Sequence, residues 1–142
     1  MSFGPGAARA AALAADAPCP CGDGVFGTCC GLALAGTPAP TAPQLMRSRF
    51  TAFALGDARY LLQTWHPSTA PATLELDEAL RWERLEIVRV EAGGTDDRGG
   101  VVEFGAHWRH TASGERGTLH EVSRFRRAAG RWYYVDGEVA EH

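Results

Sequence analysis

All four cysteines of the 142-residue chain fall inside CPCGDGVFGTCCG, residues 19–31, with the spacing C-x-C-x7-C-C. Four thiols this close must share a metal ion, a redox couple, an iron–sulfur cluster or disulfides, and each choice dictates how the segment folds. Two short thiol-bearing arms joined by a glycine-bearing loop match the all-sulfur tetrahedron of a structural Zn²⁺, whose Zn–S bonds are about 2.3 Å. Gly22, Gly24 and Gly27 let the loop turn back, and Pro20 fixes φ between Cys19 and Cys21. A disulfide between the neighbours Cys29 and Cys30 would be strained, and two disulfides in this window would crowd. Thiol redox sites use C-x-x-C beside a helix N-terminus, and iron–sulfur sites take their four cysteines at other spacings. Residue chemistry therefore favours Zn(Cys)₄ through Cys19, Cys21, Cys29 and Cys30, with redox and other metals as the open alternatives.

A chain of this length buries a hydrophobic core without staples, so the cysteines are not there to rescue a coreless miniprotein. With 45% hydrophobic and 22% charged residues and a net charge of -3, the composition is that of a soluble globular protein. The acidic balance argues against nucleic acid as a partner; the nearest basic group is Arg124, Arg126, Arg127 and Arg131. Residues 1–18, MSFGPGAARAAALAADAP, read as a flexible leader, because the apolar run is short, alanine-rich and ends at Asp16. No stretch approaches the length of a transmembrane helix, which leaves no role for a membrane. The expected location is the cytoplasm, where clustered thiols mean metal or redox chemistry.

Behind the cysteine segment, residues 19–36, a proline-rich hinge runs to Pro43 and cannot be helical. Thr41 then offers an N-cap, Pro43 suits a first turn, and Leu45, Met46, Phe50, Phe53 and Ala54 predict a helix that Gly56 closes. Asp57 predicts the cap of a second helix, which must stop near His66 because Pro67 follows. Residues 68–83 fit a short strand or a helical turn equally. From Leu85, LEIVRVEA, VVEFGAHWRH, GTLHEVSRF and RWYYVD predict four strands, separated by turn-forming segments at hairpin lengths. Two helices followed by a meander make an α+β fold in which residues 41–142 form the main domain.

Along GTLHEVSRF, Leu119, Glu121, Ser123 and Phe125 share one face. Glu121 and Ser123 on an otherwise apolar face predict a polar-lined pocket or a buried ion pair, with Arg47 and Arg49 of the first helix as the natural partners. The pocket residues expected from sequence are Arg47, Arg49, Trp65, His66, Glu121, Ser123, Trp132 and Tyr134. His66 also suits helix capping, His107 a solvated face, and Trp82, Trp108, Trp132 and Tyr134 a core or cavity wall. His66 with Glu121 would serve as a general acid–base pair if they met. No nucleophile elbow, phosphate loop, dinucleotide fingerprint or H-E-x-x-H motif is present, so no catalytic residue is assigned.

CPCGDGVFGTCCG resembles the SEC-C motif, a small zinc-binding module. LMRSRFTAFALGDARYLLQTWHPST, HEVSRF and GRWYYVDG resemble the YchJ-like family of small bacterial proteins. The resemblance spans about Cys19 to Gly137 and implies an amino-terminal SEC-C segment followed by a nuclear-transport-factor-2-like domain, a cone of helices on a curved antiparallel sheet. It places Cys19, Cys21, Cys29 and Cys30 on the motif's ligand positions and carries over no reaction. Two features depart from the motif: GDGVFGT is one residue shorter than the usual loop and has no lysine, so the basic docking surface of other SEC-C proteins is not expected. The functional expectation is a non-enzymatic interaction or accessory protein with a structural zinc. A small-molecule-binding protein or enzyme using the cone interior is the alternative. The partner classes that remain are another protein, a small molecule in the cone, and a second copy in a homodimer.

Overall fold

The computed structural model describes residues 13–139. Most of the proposed leader, residues 1–12, and the terminal residues 140–142 lie outside the described residues. After a 3-10 turn, Phe26–Thr28, come helices α1 (Cys30–Leu34), α2 (Ala42–Leu55) and α3 (Ala58–Gln63). Strands β1 (Leu80–Ala92), β2 (Gly99–His110), β3 (Arg116–Ala128) and β4 (Arg131–Val139) follow. The sheet is an antiparallel meander in the order β1-β2-β3-β4, as the hairpin-length separators predict.

Local chemistry sets the helix ends. Thr41 Oγ1 accepts from Gln44 N at 3.3 Å, Asp57 Oδ1 accepts from Tyr60 N at 3.0 Å, and Gly56 closes α2 at φ 75°. That φ lies in the left-handed region that glycine enters without a Cβ penalty. In the ambiguous stretch, residues 68–79 are turns and irregular backbone, and β1 begins at Leu80, five residues before Leu85, where the apolar alternation starts. Arg81, Glu83 and Arg84 extend the ladder because Leu80, Arg81 and Trp82 pair with His110, Arg109 and Trp108. Register shifts at Trp82/Arg84, Ile87/Arg89 and Arg124/Phe125 bend the sheet.

Met46 and Phe50 of α2 pack on Leu85, Val102, Phe104, Ala106 and Phe125 from the concave face, which is the main core. Trp132 seals one end, where its Nε1 donates to Pro40 O at 3.1 Å and docks the hinge. Trp108 lies across Gly117, where a Cβ would stand 2.4 Å from the indole. The convex face carries cross-strand ion pairs, including Arg109–Glu83 at 3.2 Å and Arg124–Asp136 at 2.7 Å. His107 belongs to this outer face, between Thr118 Oγ1 at 2.9 Å and Glu86 Oε1 at 3.4 Å. Within the basic group, Arg124 is paired to Asp136, and Arg127 donates to Thr95 O while covering Trp132. Among the described residues, no helix is long and apolar enough to cross a membrane.

Candidate metal centre and interior cavity

The cysteine loop closes through backbone bonds before its sulfurs are considered. Cys19 N donates to Gly24 O at 3.0 Å and Gly22 N to Cys19 O at 2.9 Å, while Gly22 and Gly24 adopt φ of 90° and 76°. Residues 13–18 are part of the same unit, since Phe26 N donates to Ala17 O and Gly27 N to Ala15 O, both at 2.8 Å. Gly27 is required by that close approach, because a Cβ there would stand 2.6 Å from Ala15 Cβ.

These bonds bring the four Sγ atoms within 4.8 Å of one another. Cys21 and Cys29 are 3.5 Å apart, and Cys29 and Cys30 4.0 Å. All four are free thiols, at separations far beyond the ~2.05 Å of a disulfide. Four sulfurs at about 2.3 Å from one central ion form a tetrahedron with edges near ~3.8 Å. The observed separations fit that figure. An iron–sulfur cluster would hold its thiolates further apart, because an inorganic core stands between them. The donor set thus fits a single ion.

Its electrostatics agree. Cys21 is lowered to about 5, chiefly by the hydrogen bond from Cys30, against its own burial. Cys29 is pushed up to about 12, first by burial and then by Cys21 and Cys19. Cys30 is pushed up as well, first because its proton is held on Cys21 and then by burial. Neighbouring S–H groups thus stabilise the Cys21 thiolate while holding Cys29 and Cys30 protonated, whereas a dication at the centre would let the remaining thiols ionise. Cys19, Cys21 and Cys30 are buried, and Cys29 is partly exposed.

Helix α2 braces this centre. Thr51, fully buried, places Oγ1 3.9 Å from Cys19 Sγ, and Leu55 packs with Phe26 against the cysteines. Arg47 Nη1 donates to Cys21 O at 3.4 Å. Sequence reasoning missed Thr51 and misplaced Arg47. The signal was the i, i+4 stripe Arg47, Thr51, Leu55, which differs from the apolar stripe Met46, Phe50, Phe53.

A second site lies between α2 and the concave face, a cavity of about 230 Å³. Five of the eight expected pocket residues line it: Arg49, Trp65, Glu121, Ser123 and Tyr134. Three do not. Arg47 turns to the cysteine loop instead, and Trp132 is spent on the core beside Pro40. His66 sits outside because residues 64–66 run as an extended segment along β4, with Tyr134 N donating to Thr64 O and His66 N to Tyr134 O. Successive side chains of extended backbone alternate, so Trp65 faces in while His66 meets Tyr133 and Ser68. His66 and Glu121 therefore do not form an acid–base pair.

Nor does the expected Arg–Glu ion pair form. Arg49 is 3% exposed and donates through Nη1 to Leu61 O at 2.8 Å and Thr64 Oγ1 at 2.7 Å. Its guanidinium carbon stands 4.6 Å from the Tyr134 ring centroid and 5.3 Å from that of Trp65. Burial lowers its pKa to about 10. Glu121 accepts from Ser123 Oγ at 2.6 Å and from Tyr134 Oη at 3.4 Å. Tyr134 thus stands between the cation and the carboxylate, with its own pKa raised to about 12, first by burial and then by Glu121. Gly137 makes room for this arrangement, since a Cβ there would meet Glu121 Oε2.

Known proteins share these features. The family model described as YchJ, middle NTF2-like domain, matches residues 41–137. A UPF0225 protein of Chromobacterium violaceum is 53% identical over 131 residues, covering 89% of this chain and 96% of that protein. A UPF0225 protein of Streptomyces coelicolor is 50% identical over 126 residues, covering 87% and 97%. Among solved structures, the solution structure of a SEC-C motif containing protein from Rhodopseudomonas palustris aligns with a TM-score of 0.75 at 34% identity, over 87% of this chain and 98% of that one. The crystal structure of a SEC-C motif containing protein from Psychrobacter arcticus aligns at 0.67 and 27% identity, over 90% and 85%.

Proposed function

The chain belongs to the YchJ-like family, with an NTF2-like domain behind a SEC-C-like cysteine segment, and from that premise we propose a zinc-binding accessory protein. In it, Cys19, Cys21, Cys29 and Cys30 hold one structural Zn²⁺, and the molecule acts by binding a protein partner rather than by catalysis. The observation that carries this is the convergence of four Sγ atoms within 4.8 Å. An all-thiolate set leaves no open coordination position, which is the arrangement of structural rather than catalytic zinc. Residues 19–36 are then the metal segment and residues 41–142 the NTF2-like domain.

Two large apolar side chains of the cysteine segment stay in solvent: Val25 is 41% exposed and Leu32 47%. They give the segment an apolar contact surface in place of the basic loop of other SEC-C proteins. The cytoplasm is the fitting location, because a reducing compartment keeps the four thiols available to the metal.

Protein purified without added metal should carry close to one zinc per chain by elemental analysis. Titrating the four cysteines with a thiol reagent should release it. Well under one zinc per chain would overturn the metal assignment. Leu32→Glu should keep the zinc while abolishing partner capture; capture undiminished would remove this surface from the proposal.

A further inference from the structure

The cavity contains a feature that the metal centre does not explain. Trp65 lines it, and the Trp65 indole N–H is buried with no hydrogen-bond partner among the described residues. A buried donor without an acceptor costs on the order of 1–3 kcal/mol, and native structures rarely leave one unfilled. Arg49 stands over the same indole. Among the described residues, both of its hydrogen bonds use Nη1 and both go to neutral oxygens, so Nε and Nη2 retain donors and no described carboxylate is bonded to the cation. A buried guanidinium is most stable with a bidentate anion.

The remaining wall defines the rest of a ligand. Phe53 and Trp82 meet at 6.1 Å between centroids, and Phe104, Ala106 and Leu119 complete an apolar surface. The volume equals that of about eight waters at ~30 Å³ each, enough for one ring with a short side chain. Glu121, bonded to Ser123 and Tyr134, brings a negative charge to the polar part of the wall. A second acidic group on the ligand would be repelled there. We propose that this cavity binds a small aromatic monocarboxylate, with its ring against Phe53, Trp82 and Phe104 and its carboxylate shared by the Trp65 indole N–H and the Arg49 guanidinium. The site is separate from the zinc centre and does not depend on its assignment.

Phenylacetate titrated into the full-length protein tests this, with the indole N–H resonances of the tryptophans followed by ¹H–¹⁵N NMR. The Trp65 resonance, identified by its loss in Trp65→Phe, should shift saturably at millimolar ligand. The neutral isostere phenylacetamide should bind about tenfold more weakly, and so should phenylacetate to Trp65→Phe, which keeps an apolar ring and loses the donor. The dianion phenylmalonate should not bind. Ala106→Leu fills the cavity and should abolish binding while the remaining spectrum stays that of the folded protein. A Trp65 resonance unmoved by phenylacetate, equal binding of the amide or the dianion, undiminished affinity in Trp65→Phe, or retained binding in folded Ala106→Leu would each overturn the proposal. Zinc content measured on the same samples reports the metal centre independently.

Discussion

The cysteine segment and the cone share α2 as a common wall, yet they are organised on opposite principles. Toward the sheet, α2 presents Met46 and Phe50, and the core there is large enough to order itself by burying apolar surface. Toward the cysteines it presents Thr51 and Leu55, and among the described residues the large apolar side chains buried on that side are Phe26 and Leu55, with Leu13 and Leu34 partly buried beside them. Four thiols fill the centre of the smaller region, where a core of equal size would need several leucines. The difference bears on why the thiols are concentrated in one window: the region with the smaller core is the one the proposed zinc would hold together. The third stripe of α2, Ser48 and Ala52, faces α3, where Ser48 Oγ and Tyr60 Oη lie 2.6 Å apart.

Removing the proposed zinc should therefore separate the two regions. Structural zinc contributes apparent binding energies of about 10–16 kcal/mol in small all-ligand sites, far more than the few apolar contacts of the cysteine segment can replace. After chelation under reducing conditions, hydrogen exchange should lose protection in residues 13–36 and keep it in α2 and the sheet. Equal protection before and after metal removal would show that the segment orders itself without an ion. Protection lost throughout would show that the cone depends on it.

Alkaline pH should act on the other side. Tyr134 is raised to about 12, mainly by burial, and burial raises Tyr60 too. An unfolded tyrosine ionises near its ordinary 10, so this stability is complete below pH 10 and disappears as pH climbs through the folded value. Arg49 works in the opposite sense: its folded pKa, lowered to about 10, lies below the unfolded 12.5, so its contribution improves as pH rises above about 10. Tyr134 and Arg49 oppose each other there and the burial of Tyr60 tips the balance, so denaturant midpoints should fall as pH rises above 10. Tyr134→Phe should flatten that fall, and the zinc content should not change across it. A slope unaltered in Tyr134→Phe would mean that the hydroxyl is not buried against Glu121 as described.

Much of this division was legible in the sequence, for local reasons. Caps at Thr41, Asp57 and Gly56 act within a few residues of themselves, and hairpin separators declare the meander without reference to anything distant. The cysteine cluster was legible because its four members lie within one short window of the chain. The failures concern which of several satisfactory partners a side chain takes. Arg47 and Arg49 are two residues apart on one helix, a rotation of about 200°, yet both appeared available to Glu121. Only packing shows that one braces the cysteine loop while the other is enclosed by Trp65 and Tyr134. His66 was misplaced because residues 64–66 add to the edge of β4, a pairing with no local signal.

Arg47 is the smallest lever on the comparison and the most direct test of how far the two regions are coupled. Its single bond to the cysteine loop is long, 3.4 Å to Cys21 O, and the side chain is only partly buried. A bond this long and only partly buried is worth about 0.5–1.5 kcal/mol, and Arg47→Met removes its donor while keeping an unbranched apolar stem. Zinc stoichiometry and cone stability should therefore remain those of the parent chain. The rate at which a competing chelator withdraws zinc should rise by a factor of about 2–10, because the loop carrying Cys21 opens more often. The carbonyl bond is then a latch on metal release rather than a support of either fold. A withdrawal rate identical to that of the parent would show that the latch is not engaged in solution. A drop in cone stability would show that the two regions are not energetically separate.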